Sequence, residues 1–156
     1  MAETADASGP GVIVRPVQQA DSLQWRNLYR GYASFYNQPM TDAILDETWS
    51  WLTDASHPLD GLVAVVDSKL AGLAHIRSQP KPLLGRNAGF LDDLFVEPAQ
   101  RGRGVGRLLL EQVAAVARER QWVNVRWITA QDNTTARRLY DQIAMATPWV
   151  TYELKP

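Results

Sequence analysis

The 156-residue sequence contains no cysteine. This absence excludes disulfide bonds, thiolate metal ligands and cysteine nucleophiles together. The chain has only two histidines, His57 and His75, fewer than the ligand sets that zinc usually takes, although carboxylates could complete one. We therefore expect a protein without a metal ion.

The sequence also lacks an excess of charge of either sign. Sixteen Lys and Arg residues against seventeen Asp and Glu residues give a net charge of −1, so no overall field attracts nucleic acid or an anionic membrane. No apolar run approaches the roughly 18 residues that a membrane helix needs, and residues 1–10 lack the basic and apolar regions of a signal peptide. These absences predict a cytoplasmic protein that binds neither nucleic acid nor membranes.

The length and the 46% hydrophobic content are typical of one globular domain. Residues 1–10 are small, polar and interrupted by Gly and Pro, which predicts a flexible arm before a single domain over residues 11–156. Strand and helix patterns alternate mainly in the second half, so the predicted class is mixed α and β. We expect strands at 12–14, 62–66, 70–76, 90–96, 125–129 and 149–154, a loop at 80–87, and helices at 19–37, from Thr41, from Val105 and at 134–145.

A glycine-rich segment lies between a predicted strand and a predicted helix. It has glycine at every second position from Gly102 to Gly106, with arginine at 101, 103 and 107. Alternate glycines allow the backbone to approach a ligand closely, and the amides of a helix N-terminus beside arginines attract phosphate. The segment predicts an anion-binding cradle; the alternative is a glycine-rich turn with basic side chains around it.

The spacing of the glycines narrows the choice of ligand. A P-loop ends its glycine loop with Lys and then Ser or Thr, and this segment has neither. The G-x-G-x-x-G dinucleotide pattern fails from both Gly102 and Gly104, because its last glycine is missing. The pattern that remains is Arg101-x-x-Gly104-x-Gly106.

In its context, this pattern resembles the (Gln/Arg)-x-x-Gly-x-(Gly/Ala) motif of the Gcn5-related N-acetyltransferases. The strand over 91–96 before it and the segment 132–140 after it add to the resemblance, which covers most of the chain. The 25–36 helix and the 147–152 tail are most similar to the Hpa2-type branch, which acetylates histones or polyamines. One departure is that the Gly-Phe pair that often follows the family's tyrosine is Ile143-Ala144 here.

The resemblance implies a twisted, mixed but mostly antiparallel sheet of about six to seven strands flanked by about four helices. It implies an enzyme that uses acetyl-CoA to acetylate a primary amine, such as a polyamine, a lysine side chain of a protein or a small amine, by direct attack in a ternary complex. The Hpa2-type likeness also allows a homodimer through the closing strand. The alternatives are a non-catalytic acyl-CoA sensor or assembly module and a nucleotide-binding protein.

The resemblance also implies roles for single residues. Tyr140 matches the general acid, and Asn133 matches the residue that contacts the pantetheine amide. The cofactor-binding set consists of the strand residues Leu94, Phe95 and Val96, the cradle residues Arg101, Gly102, Arg103, Gly104, Val105, Gly106 and Arg107, and the helix residues Asn133, Ala136 and Tyr140.

The adjacent acids Asp92 and Asp93 are the candidate bases. Neighbouring residues of a strand point to opposite faces, so at most one of them faces the acceptor directly, and burial would raise its pKa. Related spermidine/spermine acetyltransferases have an acidic pair at this position, which favours Asp92. The alternative is that one or both acids have structural roles. The tyrosines at near-helical spacing also have two interpretations, because Tyr29, Tyr32 and Tyr36 either pack in the core or line an amine site.

Overall fold

The computed structural model describes residues 11–156, so the arm predicted for residues 1–10 lies outside the described residues. No helix in the described part of the chain is long and apolar enough to cross a membrane. The strands and α-helices occur in the order β1 (Val12–Pro16), α1 (Ser22–Phe35), α2 (Asp42–Thr53), β2 (Leu59–Val66), β3 (Lys69–Lys81), β4 (Arg86–Val96), α3 (Val105–Glu119), β5 (Val125–Arg126) and α4 (Thr134–Ile143).

The strands form one sheet in the order β1-β2-β3-β4-β5. The first four run antiparallel, and β5 runs parallel to β4. The predicted β2–β3 hairpin is confirmed, and its turn residues Asp67 and Ser68 have φ values of +49° and +64°, which suit a type I′ turn. The mixed, mostly antiparallel sheet with four α-helices over residues 11–156 confirms the predicted class.

The strand count is lower than expected. Within the described residues the sheet has five strands instead of about six to seven. The closing strand predicted over 149–154 does not form, because residues 144–156 are exposed and have no regular structure. The strand predicted over 125–129 is reduced to the two residues of β5. Such a short edge offers few backbone groups with which a further strand could pair.

The loop predicted over 80–87 is shorter in the structure. β3 continues to Lys81 and β4 already begins at Arg86, although proline is normally excluded from the middle of a sheet. β2 pairs with β3 only as far as Arg77. Beyond that residue, no strand among residues 11–156 pairs with this side of β3, and Pro80 is tolerated on such an edge.

Side chains pack on both faces of the sheet, and the residues of β3 alternate between them. Ala74 and Ile76 face α3, whereas Leu73 and His75 face α1. Since helices cover both faces, the central strands are nearly continuous apolar runs. The core on the α3 side includes Leu62, Leu91, Val105, Leu109 and Val113, and the core on the α1 side includes Trp25, Leu28, Leu45, Val63 and Phe95.

Gly89 of β4 lies directly against the ring of Trp122. A Cβ atom at this position would overlap that ring and also approach Val125. We expect Gly89→Ala to lower the free energy of unfolding by about 1–3 kcal/mol, because the packed core cannot admit the added methyl group. Urea denaturation measures the effect. In a Trp122→Leu background the same substitution should cost less; an equal cost in both backgrounds would contradict this explanation.

Candidate active site

The predicted anion cradle lies at the N-terminus of α3. Gly104 is the N-cap of this helix, and both Gly102 and Gly104 have a φ of +78°, a conformation that favours glycine over every other residue. Within the part of the chain that the structure describes, no side chain caps this helix, so the amides of its first turn remain available to an anion. The space where a Cβ atom of either glycine would point is open. The cradle can therefore admit a phosphate group.

The arginines of the cradle are held by neighbouring groups. Arg101 Nε donates to the carbonyl of Val96 at 3.1 Å, and its guanidinium lies 5.5 Å from the ring centres of Phe35 and Phe95. Arg107 hydrogen-bonds the side chain of Gln142 on α4. Arg103 donates only to Gln100, and it does not line the adjoining cleft in the described part of the chain.

A cleft of about 370 Å³ extends from the cradle along β4. It is enclosed by α1, the end of β4, the start of α3 and α4. All the other predicted cofactor-binding residues line it. The cleft also contains Tyr32, Phe35, Tyr36, Thr135 and Leu139, which are absent from the predicted cofactor set. The i, i+3, i+4 spacing of Ala136, Leu139 and Tyr140 is the signal that could have added Leu139.

The end of β4 presents an open edge to this cleft. β5 pairs with β4 only at Gly89 and Phe90. Residues 91–96 of β4 therefore have no strand beside them on that edge within the described residues. The backbone N–H and C=O groups that point away from β3 can hydrogen-bond a ligand in an extended conformation.

Tyr140 and Asn133 approach the cleft from α4. The ring of Tyr140 packs edge-on against Trp127, with 5.3 Å between ring centres. Burial, with a contribution from Tyr36, raises the pKa of Tyr140 to about 12, so its hydroxyl is protonated at neutral pH. Asn133 Oδ1 caps α4 by accepting from the Ala136 amide at 3.5 Å, and its Nδ2 donates to Thr129 at 3.2 Å. Asn133 thus lines the cleft while its side chain organises the helix.

The two candidate acids have different surroundings. The β3–β4 register shifts beside them, so that Asp93 pairs with His75 and Leu91 pairs with Ile76. Asp92 is the extra residue of this bulge, and Arg77 Nε donates to it at 2.8 Å. Asp93 instead faces α1, where the Tyr29 hydroxyl donates to its Oδ2 at 3.0 Å. The side chain of Asp93 is 17% exposed, against 31% for Asp92.

Hydrogen bonds set the charge state of Asp93. Burial alone would raise its pKa, as expected from the sequence. The hydrogen bond and the electrostatic attraction of His75, together with hydrogen bonds from Tyr29 and Tyr32, outweigh burial and hold the pKa below its ordinary value. Burial and the nearby Asp93 carboxylate raise the pKa of both tyrosines. At neutral pH, this group is an ionised carboxylate surrounded by neutral hydroxyl donors.

A second cavity of about 530 Å³ adjoins the cleft. The two cavities share Tyr32 and Tyr36, and Tyr29, the donor to Asp93, also lines the second one. The remaining lining of the second cavity is formed by Ala33, Gln38, Met40, Ile128, Thr129 and Ala130.

Residues 11–156 contain no group of three His, Asp or Glu side chains that could hold a metal ion.

The chain belongs to the acetyltransferase (GNAT) family, whose model matches residues 22–144. Together with the fold and the cleft, this match defines the protein as an N-acetyltransferase that uses acetyl-CoA as its cosubstrate. This confirms the resemblance drawn from the sequence. The uncapped helix amides and the open edge of β4 fit the diphosphate and the amide-containing arm of CoA.

Two curated proteins are similar to most of the chain. It is 27% identical over 144 residues to the D-amino-acid N-acetyltransferase HPA3 of Saccharomyces cerevisiae, covering 91% of this chain and 89% of that protein. It is 32% identical over 116 residues to the aminoglycoside N(6')-acetyltransferase type 1 of Stenotrophomonas maltophilia, covering 72% of this chain and 71% of that protein. The names of both proteins describe the transfer of an acetyl group to nitrogen.

A solved structure has the same fold. The ribosomal-protein-alanine N-acetyltransferase from Brucella melitensis biovar Abortus 2308 superimposes with a TM-score of 0.78 and is 26% identical, covering 92% of this chain and 98% of that one. The shared fold extends over nearly all of both chains.

Proposed function

We propose that the protein transfers the acetyl group of acetyl-CoA to the primary amine of a small molecule by direct attack in a ternary complex. The observation that carries this proposal is that two cavities meet at Tyr32 and Tyr36. Tyr140 lines one of them, and Tyr29, which donates a hydrogen bond to Asp93, lines the other. The two curated relatives support the acceptor class, because they are named for D-amino acids and for aminoglycosides. The chain has no cysteine to carry the acetyl group in a covalent intermediate.

The cradle and the β4 edge would hold the cosubstrate. The amides of residues 101–107 and the positive end of α3 attract the diphosphate. The stretch from Leu94 through Phe95 to Val96 pairs with β3 on one edge and offers the pantetheine arm the backbone groups of its other edge, which no strand uses within the described residues. The thioester end of the arm then lies on the side of the cleft that Tyr140 lines.

Asp93 receives the acceptor amine in this proposal. An alkylammonium group, with a pKa near 10.4, is almost fully protonated at neutral pH, and the ionised Asp93 attracts it. The ammonium group first loses one proton to solvent, and the neutral nitrogen then attacks the acyl carbon. Once the new C–N bond forms, the nitrogen is positively charged and its N–H groups are more acidic, so Asp93 accepts a second proton directly or through the Tyr29 hydroxyl.

Tyr140 protonates the leaving group. The C–S bond breaks as the tetrahedral intermediate collapses, and the electron pair goes to sulfur. The leaving group is a thiolate, and the corresponding thiol has a pKa near 8.5. A phenol can protonate this thiolate only when the phenol is close to it. The raised pKa of Tyr140 keeps that proton in place until the thiolate forms.

An acceptor screen tests the proposed function. Purified protein with acetyl-CoA is incubated with small amines, polyamines, amino acids, aminoglycosides and lysine peptides; free thiol and the mass of the product are measured. We expect an acetylated primary amine and initial-rate patterns that intersect, as a ternary complex requires. Binding of CoA without thiol release from any acceptor would contradict the proposal.

We also propose that residues 144–156 form part of a homodimer interface. This tail has no regular structure and exposes large apolar side chains, while β5 leaves the adjacent sheet edge uncovered in the described chain. Tails exchanged between two copies would cover both surfaces. The most exposed of these side chains are Met145, Trp149, Val150, Tyr152 and Leu154.

Deletion of residues 145–156 is expected to convert the dimer into a monomer. Light scattering coupled to size-exclusion chromatography measures the mass of each form at equal concentration. A matched variant with Trp149, Tyr152 and Leu154 replaced by Ser keeps the full length and should also be monomeric. An intact chain that is monomeric at high micromolar concentration would contradict the dimer.

A further inference from the structure

His75 is a buried polar residue in the middle of an apolar strand. It is 1% exposed, yet both of its ring nitrogens have partners. Its ring packs edge-on against Tyr29, at 4.9 Å between ring centres, and also lies beside Trp25. Burying such a side chain is favourable only when its hydrogen bonds are made. The network is therefore specific in its geometry, and it ends at Asp93.

The partners of His75 identify its protonation state. Trp25 Nε1 lies 3.0 Å from His75 Nε2. An indole N–H can only donate, so Nε2 must be the unprotonated nitrogen that accepts. The ring proton is then on Nδ1, which donates to Asp93 Oδ2 at 2.8 Å. This geometry requires the neutral imidazole, because a second proton on Nε2 would oppose the indole N–H.

The remaining groups around Asp93 do not cancel its charge. On β3 it meets His75, and on α1 it meets the hydroxyls of Tyr29 and Tyr32. Its neighbour Asp92 is negative and is already paired with Arg77. Within residues 11–156, neither Lys nor Arg forms an ion pair with Asp93.

We propose that Trp25 holds His75 as a neutral donor, so that Asp93 keeps an uncompensated negative charge for the ammonium group of the acceptor. Trp25 and His75 are positioning residues here, since both act through Asp93. The inference rests on the proposed binding of the amine at Asp93. If His75 carried a proton on both nitrogens, its own charge would compete with the substrate for the carboxylate.

Trp25→Phe tests this role because it keeps an aromatic ring and removes the N–H donor. Without the indole N–H beside it, His75 Nε2 no longer faces a donor and is free to bind a proton at acidic pH. We expect the KM of the acceptor amine to rise about tenfold between pH 8 and pH 6 in this variant. In the unchanged protein it should stay constant over that range, as both the ammonium and Asp93 keep their charges. The KM of acetyl-CoA should not change in either protein.

Two variants control the experiment. Trp49→Phe changes the tryptophan whose ring lies 5.1 Å from that of Trp25 but leaves the hydrogen bond to His75 in place, so its amine KM should remain independent of pH. In the Trp25→Phe, His75→Asn double variant the asparagine offers an N–H to Asp93 and cannot become charged. We expect this variant to lose the pH dependence. A pH dependence that persists there would overturn the proposal.

A spectroscopic measurement on the unchanged protein is independent of any variant's folding. The ¹⁵N chemical shifts of the imidazole report which nitrogen is protonated, and a His57→Gln variant assigns the two histidines. We expect His75 to have its proton on Nδ1 and none on Nε2 at neutral pH. A doubly protonated His75 at neutral pH would overturn the inference while leaving acetyl transfer intact. Failure of every amine in the acceptor screen would instead refute the proposed function. The tautomer of His75 could still be measured in that case, so the two failures are distinguishable.

Discussion

Tyr140→Phe is expected to lower kcat about 10²- to 10⁴-fold, the usual contribution of a positioned proton donor. The substitution removes only the hydroxyl group, and the ring keeps its packing against Trp127. Binding of CoA, measured by calorimetry, should therefore change little. Steady-state kinetics with the acceptor identified by the screen measures kcat. A variant with unchanged kcat would refute the role of Tyr140 as the acid.

The leaving group offers a control for the Tyr140 prediction. An aryl thioester that carries the CoA arm releases a more acidic thiol, whose thiolate needs less help from a proton donor. The loss of rate in Tyr140→Phe should be smaller with that donor than with acetyl-CoA. The unchanged enzyme should also keep its activity well above pH 10, because the acid stays protonated until the pH approaches its pKa of about 12. Loss of activity at the pH of an ordinary phenol would contradict the assignment.

Local patterns predicted most of the fold. The two strands of the β2–β3 hairpin were predicted from short apolar runs, because such runs and turn residues act over neighbouring positions. The closing strand over 149–154 was predicted by the same reasoning and does not form. A strand exists only when a neighbour pairs with it, and its neighbour, β5, is two residues long. Sequence periodicity does not contain that information.

The candidate site was likewise predictable where it depends on neighbouring residues, and not where it depends on residues far apart in the chain. The cradle was predicted from the sequence because helix amides and left-handed glycines are local properties of Gly102 and Gly104. The environment of Asp93 depends on a register shift and on donors that are 18 and 64 residues away along the chain. The sequence therefore predicted an acidic pair without separating its members. It also suggested that burial would raise the pKa of the carboxylate that faces the site, whereas the donors lower the pKa of Asp93.

Asp93→Asn is expected to lower kcat/KM for the amine about 10²- to 10³-fold. The amide has nearly the shape of the carboxylate, but it neither attracts an ammonium ion nor accepts its proton. A charge-assisted contact becomes a neutral one, so most of the loss should appear as a higher KM for the amine, with a further fall in kcat from the missing proton acceptor. Binding of CoA should be unaffected, because the carboxylate lies on the α1 side of β4 and outside the cradle.

Asp92→Asn is the matched control, since it makes the same chemical change one residue earlier in the same strand. Its carboxylate pairs with Arg77 in a partly exposed position, and such pairs contribute only about 0–1 kcal/mol to stability. We expect this variant to keep most of its activity. The resemblance to spermidine/spermine acetyltransferases favoured Asp92 as the base, and the two variants decide between the acids. A large loss in Asp92→Asn with a nearly normal Asp93→Asn would restore Asp92 as the base, and would leave the buried network around Asp93 with a structural role alone.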